Sequence, residues 1–278
     1  MNNAFQRFSD TLMDSPRMAL GVEYDGTDFY GWQIQKKPPV KTVAGELTRA
    51  VSTIANQPIK LHCAGRTDSG VHGTGQVVHF ETTAIRPEKA WVNGVNTKLP
   101  SSIRVKWVRA VPEDFHARFS AQSRTYHYVI YNAPVRSAVL ANKVTFCDQP
   151  LDQNAMHRAA QSLIGEQDFS GFQAAGCQSH SSFRNVTDVK IERKQDFVIM
   201  KITANAFLLH MVRNIMGALM DVGLNIQPES WLETILASKD RSTGSKTAPA
   251  SGLYLTSVAY DTAFGLPDDS QPNFFTLA

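Results

Sequence analysis

The sequence predicts an α+β protein: two similar domains whose largely antiparallel sheets join into one broad sheet, with helices on one face and a functional cleft between the domains. Three observations predict it. Eight segments rich in β-branched and aromatic residues recur along the chain, several with alternating polarity. Between them fall segments whose apolar residues recur at helical spacing. Strands and helices are interleaved in both halves, 17–113 and 114–266, and neither half repeats the residue identities of the other.

In chain order, residues 1–16 carry no apolar run and are expected to form a flexible tail. "MALGVEY" is the first strand. Val43, Leu47, Val51 and Ile54 share one helical face, which predicts a helix over 42–55. "LHCA", "QVVHFET" and "IRVKWVRA" follow as strands; in the last, alternation sends Arg104 and Lys106 to the face opposite Ile103, Val105 and Trp107. "RTYHYVIY" places Tyr126, Tyr128 and Ile130 on one face, and 151–164 is a second helix. "DVKIE" and "FVIMKIT" are strands ahead of a third helix, 206–224, with Leu208, Met211, Val212, Ile215 and Leu219 apolar. Ala206, His210, Arg213 and Gly217 lie on a neighbouring stripe of that helix, a seam of mostly small residues through which the guanidinium can reach. "LYLTSVAY" is the last strand, and 267–278 is an aperiodic tail. Helices on one side of the sheet would leave its other face free as a ligand platform.

At 278 residues and 42% hydrophobic content the chain can bury a real core. Lys and Arg number 28 against 25 Asp and Glu, so a net charge of +3 permits a polyanionic partner without demanding one. Cys63, Cys147 and Cys177 are odd in number and widely spaced, which disfavours a disulfide framework or a zinc site and points to a reducing, cytoplasmic compartment. No segment approaches the roughly 18 apolar residues of a membrane span, and the N-terminus has no apolar leader core.

The stretch "GRTDSGVHGTGQVVHFET" concentrates chemistry. Thr67-Asp68-Ser69-Gly70 is by itself an ordinary turn sequence. Around it, Gly65, Gly70, Gly73 and Gly75 remove side chains near one carboxylate, while Arg66, His72 and Gln76 bring polar groups into the same few residues. The glycine order is G-x-x-G-x-G, the reverse of the dinucleotide-binding fingerprint. "TGSKT", at 243–247, lacks the glycine spacing of a nucleotide phosphate loop. His62, Cys63, His72 and His79 match no metal-ligand spacing, so no metal is expected.

Together with "VEYDGTDFYGWQ", "FHARFSAQSRTYHYVIYN", "FLLHMVRNIMGALMDVG" and "APASGLYL", this stretch strongly resembles the tRNA pseudouridine synthase A family, in order from about residue 18 to 260. The resemblance implies isomerisation of uridines 38, 39 and 40 in the anticodon stem-loop of tRNA, without cofactor or metal, by a homodimer. It implies that Asp68 is the catalytic carboxylate, attacking C1′ or C6 or taking the C2′ proton; each route needs it deprotonated. Bare backbone around Asp68 then admits a flipped nucleotide. The resemblance further implies that Arg213 pairs with Asp68, that Tyr126 stacks on the target base and can serve in proton transfer, and that Arg66 extrudes or holds RNA where that base has left, the alternative for Arg66 being to brace the turn. Arg104, Lys106, Arg118, Arg124, Arg184 and Lys190 are candidates for a phosphate-binding groove. "GCQSHSSFRNV" departs from the family pattern, which has an arginine near His180. The competing reading, an RNA-binding module without catalysis, explains the cations but gives no reason for a carboxylate among them.

Overall fold

The computed structural model describes residues 8–10, 12–35 and 38–267. The expected tail segments 1–7 and 268–278, with residue 11, lie outside the described residues. The chain forms two compact units, the first running to Gln122 and resuming at Val258, the second Ser123–Ser257. The division therefore differs from the expected 113/114 boundary. The reason is packing: Phe115 is fully buried with its ring 5.2 Å from Tyr260 and 5.1 Å from Phe264, and the Tyr260 hydroxyl donates to the Ala117 carbonyl at 2.6 Å.

The first unit contains β1 (Leu12–Met13), β2 (Arg17–Tyr24), α1 (Val43–Ala55), β3 (His62–Cys63), β4 (His72–Glu81), β5 (Arg86–Pro87), α2 (Val95–Lys98) and β6 (Ile103–Ala110). β2 lies between β6 and β4, antiparallel to both, and β3 extends the sheet from β4. Thr42 Oγ1 accepts from the Gly45 N–H at 3.2 Å to start α1, and Asn56 ends it in the left-handed region at φ 55°. α1 buries Val43, Leu47 and Val51 against Met18, Leu20, Phe80 and Trp91, the face that the sequence period predicts.

Three expectations change here. Part of the expected N-terminal tail is held: β1 pairs with β5, Ser9 N–H donates to Glu88 Oε2 at 3.1 Å, and Phe8 and Met13 pack on the core. The alternation of β6 breaks at a bulge where Gly21 pairs Trp107 and Val22 pairs Val105. Trp107 is thereby turned onto the opposite side from Val105, against Gly21, where a Cβ would stand 2.1 Å from the indole nitrogen. With Ala19, Val77, Phe115, Tyr260 and Phe264 it builds a second apolar layer, so the face away from α1 is covered rather than free.

The second unit contains β7 (Ser123–Asn132), β8 (Thr145–Cys147), α3 (Gln153–Ala160), β9 (Gly165–Asp168), β10 (Phe183–Lys194), β11 (Phe197–Ala204), α4 (Met211–Gly223), α5 (Trp231–Ser238) and β12 (Leu253–Ala259). Strand order is β12-β7-β11-β10-β9; β7, β11, β10 and β9 pair antiparallel and β8 runs parallel to β7. α3 packs on β10 and α4. The expected 206–224 helix begins only at Met211, because His210 is left-handed at φ 59° and Ala206 and Leu209 spend backbone groups on Asn205, Cys177 and Ala174. Ala206 and His210 drop out of the predicted stripe, leaving Arg213 and Gly217. Both units are α+β with predominantly antiparallel sheets, as the sequence predicts.

Candidate active site

Asp68 is half-buried in the loop between β3 and β4. The Val71 N–H closes a turn onto the Asp68 carbonyl at 3.1 Å, and Gly70 takes φ +78°. The turn is held from outside by residues 24–32. Tyr24 Oη meets Thr67 Oγ1 at 2.9 Å, Trp32 N–H donates to the Thr67 carbonyl at 3.0 Å, and both Gly70 N–H (3.3 Å) and Ser69 Oγ (3.2 Å) donate to the Phe29 carbonyl. This contact requires glycine twice. A Cβ on Gly26 would stand 2.0 Å from the Val71 carbonyl oxygen; one on Gly31, itself at φ +80°, would stand 2.8 Å from the Thr67 carbonyl oxygen.

The polar neighbours that the sequence places near Asp68 divide into scaffold and surface. His72 Nδ1 accepts from the Gly26 N–H at 3.0 Å. Gln76 is fully buried and brackets Gly65, donating from Nε2 to its carbonyl at 2.6 Å and accepting from its N–H at 3.4 Å. Arg66, by contrast, is exposed. The result is a carboxylate on a turn whose backbone is fixed at both ends, the preorganisation that a reacting group demands.

In the second unit, Arg213 Nε donates to the Ala248 carbonyl at 2.9 Å, and the Ala248 N–H returns to the Arg213 carbonyl at 3.1 Å. Buried Asn214 extends the seam, accepting from Thr247 Oγ1 at 2.6 Å and Arg241 Nη2 at 3.1 Å. A Cβ on Gly217 would stand 1.9 Å from the Lys246 carbonyl oxygen, so the small residue admits backbone. The segments "HMVRNIM" and "APASGLYL" are thus one packed unit. Tyr126 is buried, its ring edge-on to Phe207 at 5.1 Å. Tyr128 is a core residue: its hydroxyl reaches Thr145 Oγ1 at 2.6 Å and the Pro249 carbonyl at 2.8 Å, and burial pushes its phenol up, opposed by Thr145 and the nearby Arg213 charge.

The six groove candidates separate. Arg124 is buried and donates to the Asn205 carbonyl at 2.7 Å. Arg184 turns back onto Ser179 Oγ at 2.6 Å, and Lys190 pairs with Glu192 at 2.7 Å. Arg104, Lys106 and Arg118 stay exposed on the first unit. The sequence reading overlooked Trp32, His116 and Phe119, which line a cavity reaching to Arg66; an isolated aromatic in a loop has no period to announce it.

A family model described as tRNA pseudouridine synthase matches residues 21–120 and 159–261. The chain is 55% identical over 251 residues to tRNA pseudouridine synthase A of Citrobacter koseri, covering 90% of this chain and 92% of that protein. It is 56% identical, with the same coverage, to the proteins of that name from Escherichia fergusonii and Enterobacter sp. (strain 638). The chain belongs to the tRNA pseudouridine synthase A family. As a member it is an isomerase. The family match spans Arg66, Asp68 and Arg213, while Tyr126 falls between its two stretches. No helix among the described residues is long and apolar enough to cross a membrane.

Proposed function

We propose that this isomerase converts uridines 38, 39 and 40 of the tRNA anticodon stem-loop to pseudouridine, in the cytoplasm and as a homodimer. The observation that carries the reading is the Asp68 turn: a carboxylate on backbone tied by hydrogen bonds to residues 24–32, which pack close through Gly26 and Gly31, in a chain of this family. The reaction breaks the N1–C1′ bond, turns the uracil and joins C5 to C1′, with the C5 hydrogen lost to solvent and a proton taken up at N1. It is redox-neutral, so the reading calls for no electron carrier. A deprotonated Asp68 serves as the nucleophile or base, Arg213 pairs with that carboxylate and orients it, Tyr126 stacks on the uracil, and Arg66 occupies the place the flipped base leaves.

A non-catalytic RNA binder would gain nothing from Asp68, whose charge opposes phosphate. Asp68→Asn decides between the two. The amide keeps size and shape, so the fold and tRNA affinity should survive, while tritium release from C5-labelled uridine should vanish. A folded, tRNA-binding Asn variant that still forms pseudouridine within tenfold of wild type would remove Asp68 from the chemistry.

A further inference from the structure

A cavity of about 540 Å³ opens on the first unit beside the Asp68 turn, within the roughly 300–1,000 Å³ range of ligand sites. One wall is the segment 59–66 that leads into the turn; another is the loop 116–119. Its lining includes three cations, Lys60, Arg66 and Arg118, and no carboxylate. Phe119 is 75% exposed, an unusual place for a phenyl ring, and lies 4.3 Å from the His116 ring at an interplanar angle of 31°. The Arg118 guanidinium sits 5.5 Å from the same ring.

This shelf is built rather than loose. His116 Nδ1 accepts from the Arg118 N–H at 3.1 Å and the Phe119 N–H at 3.3 Å, and the His116 N–H donates to Ser120 Oγ at 2.9 Å. Behind it His79 contacts His116 at 4.5 Å and stacks on His62 at 4.9 Å. Desolvation holds all three imidazoles below their ordinary range, assisted for His62 by Lys60, for His116 by His62, and for His79, pulled down to about 4, by His116. They are therefore neutral flat surfaces at neutral pH, and the positive charge sits at the rim.

Neutral stacking surface edged by cations fits a nucleobase and its phosphate better than it fits a free anion. Arg66 is two residues from Asp68, at most about 7 Å of chain, so the occupant is a close neighbour of the reacting nucleotide. We propose that this cavity is a second nucleotide subsite, which takes an unpaired base of the same RNA against Phe119 and His116 and its phosphate between Lys60 and Arg118, with Arg66 at the edge nearest the turn left to the flipped base's place. The proposal rests on the tRNA reading above.

The test is the dissociation constant of full-length tRNA with the full chain, compared across Phe119→Ala, Phe119→Leu and Phe119→Trp, with Val139→Ala as a control truncation at an apolar residue 88% exposed. Alanine and leucine should each weaken binding between about fivefold and a hundredfold, tryptophan should bind within twofold of wild type, and the control should not change. Lys60→Ala should flatten the dependence of log Kd on log salt by about 0.7, the share of one single-strand phosphate, whereas Phe119→Ala should leave that slope alone. Binding within twofold of wild type for folded Phe119→Ala, or full recovery by Phe119→Leu, would overturn the stacking subsite. Absent C5 tritium release from the wild-type chain would instead overturn the activity reading, leaving the comparison of dissociation constants to judge the cavity.

Discussion

Gly31→Ala tests whether residues 24–32 set the position of Asp68. A Cβ at residue 31 would stand 2.8 Å from the Thr67 carbonyl oxygen, where ordinary contact begins at 3.4 Å, so the turn or its brace must give by about 0.6 Å. Both are backbone tied by the Trp32–Thr67 and Gly70–Phe29 hydrogen bonds, so no flexible side chain can absorb the shift. The left-handed φ of +80° adds about 1–2 kcal/mol for a residue with a Cβ. If misplacing a reacting group by 1 Å costs about 100-fold in rate, a displacement of this size should cost about tenfold. The measurement is single-turnover tritium release at saturating enzyme, with a urea denaturation curve on the same protein. Gly265→Ala is the control: its φ is +62° and nothing lies within 4 Å of its Cβ position, so it should lose stability without losing rate. A Gly31→Ala enzyme with an unchanged rate would refute the brace, whatever its stability.

Arg213→Ala should cut turnover severely while costing about 1 kcal/mol of stability for the lost Nε–Ala248 bond; near-wild-type single-turnover rates would show that the arginine does not serve the carboxylate. Affinity for tRNA should fall steeply between about 50 and 200 mM salt, and a salt-independent dissociation constant would sink a phosphate groove. His79 and His127 are each held down to about 4 from 6.5, chiefly by desolvation; Arg17 and Glu81 also face His79, and Lys201 and Glu192 face His127. Because the folded pKa values lie below the unfolded ones, the unfolded chain takes up protons first, and stability should decline as pH falls from about 6.5 to about 4. Glu81 and Glu192, held below their ordinary range by Arg17 and Lys190 respectively, add losses only under about pH 4.5. A urea midpoint that stays flat between pH 6.5 and 4.5 would show that these imidazoles are not buried neutral.

What could be read from the sequence was what local spacing encodes. α1 announces itself because Val43, Leu47 and Val51 bury one face and Thr42 and Asn56 close its ends. The Asp68 turn was visible because its glycines and its carboxylate are adjacent in the chain. The hidden features are non-local. Trp107 leaves its alternation because β6 bulges at Lys106 against Gly21–Val22 of β2, far away in the chain, and α4 starts late because Ala174 and Cys177 claim the backbone of Leu209. The short strands β8 and β9 have too few residues to show a period, and β1 is defined only by β5. Gly26 and Gly31 carry no signal of their own until the turn they brace is placed against them.

The charge of the chain shows the same distinction between sum and arrangement. A net +3 over 278 residues gives a tRNA little overall attraction, and the proposed reading sets a carboxylate where the RNA must arrive. Screening confines useful attraction to within about 8 Å of the surface at physiological salt, so only cations near the turn can offset Asp68. Lys60, Arg66 and Arg118 line one cavity without a carboxylate among them, whereas Lys190 and Arg158 are each neutralised by a glutamate. On the proposed reading, cations beside the turn serve a carboxylate enzyme acting on RNA, because they offset the charge of Asp68 for the phosphates that must approach it.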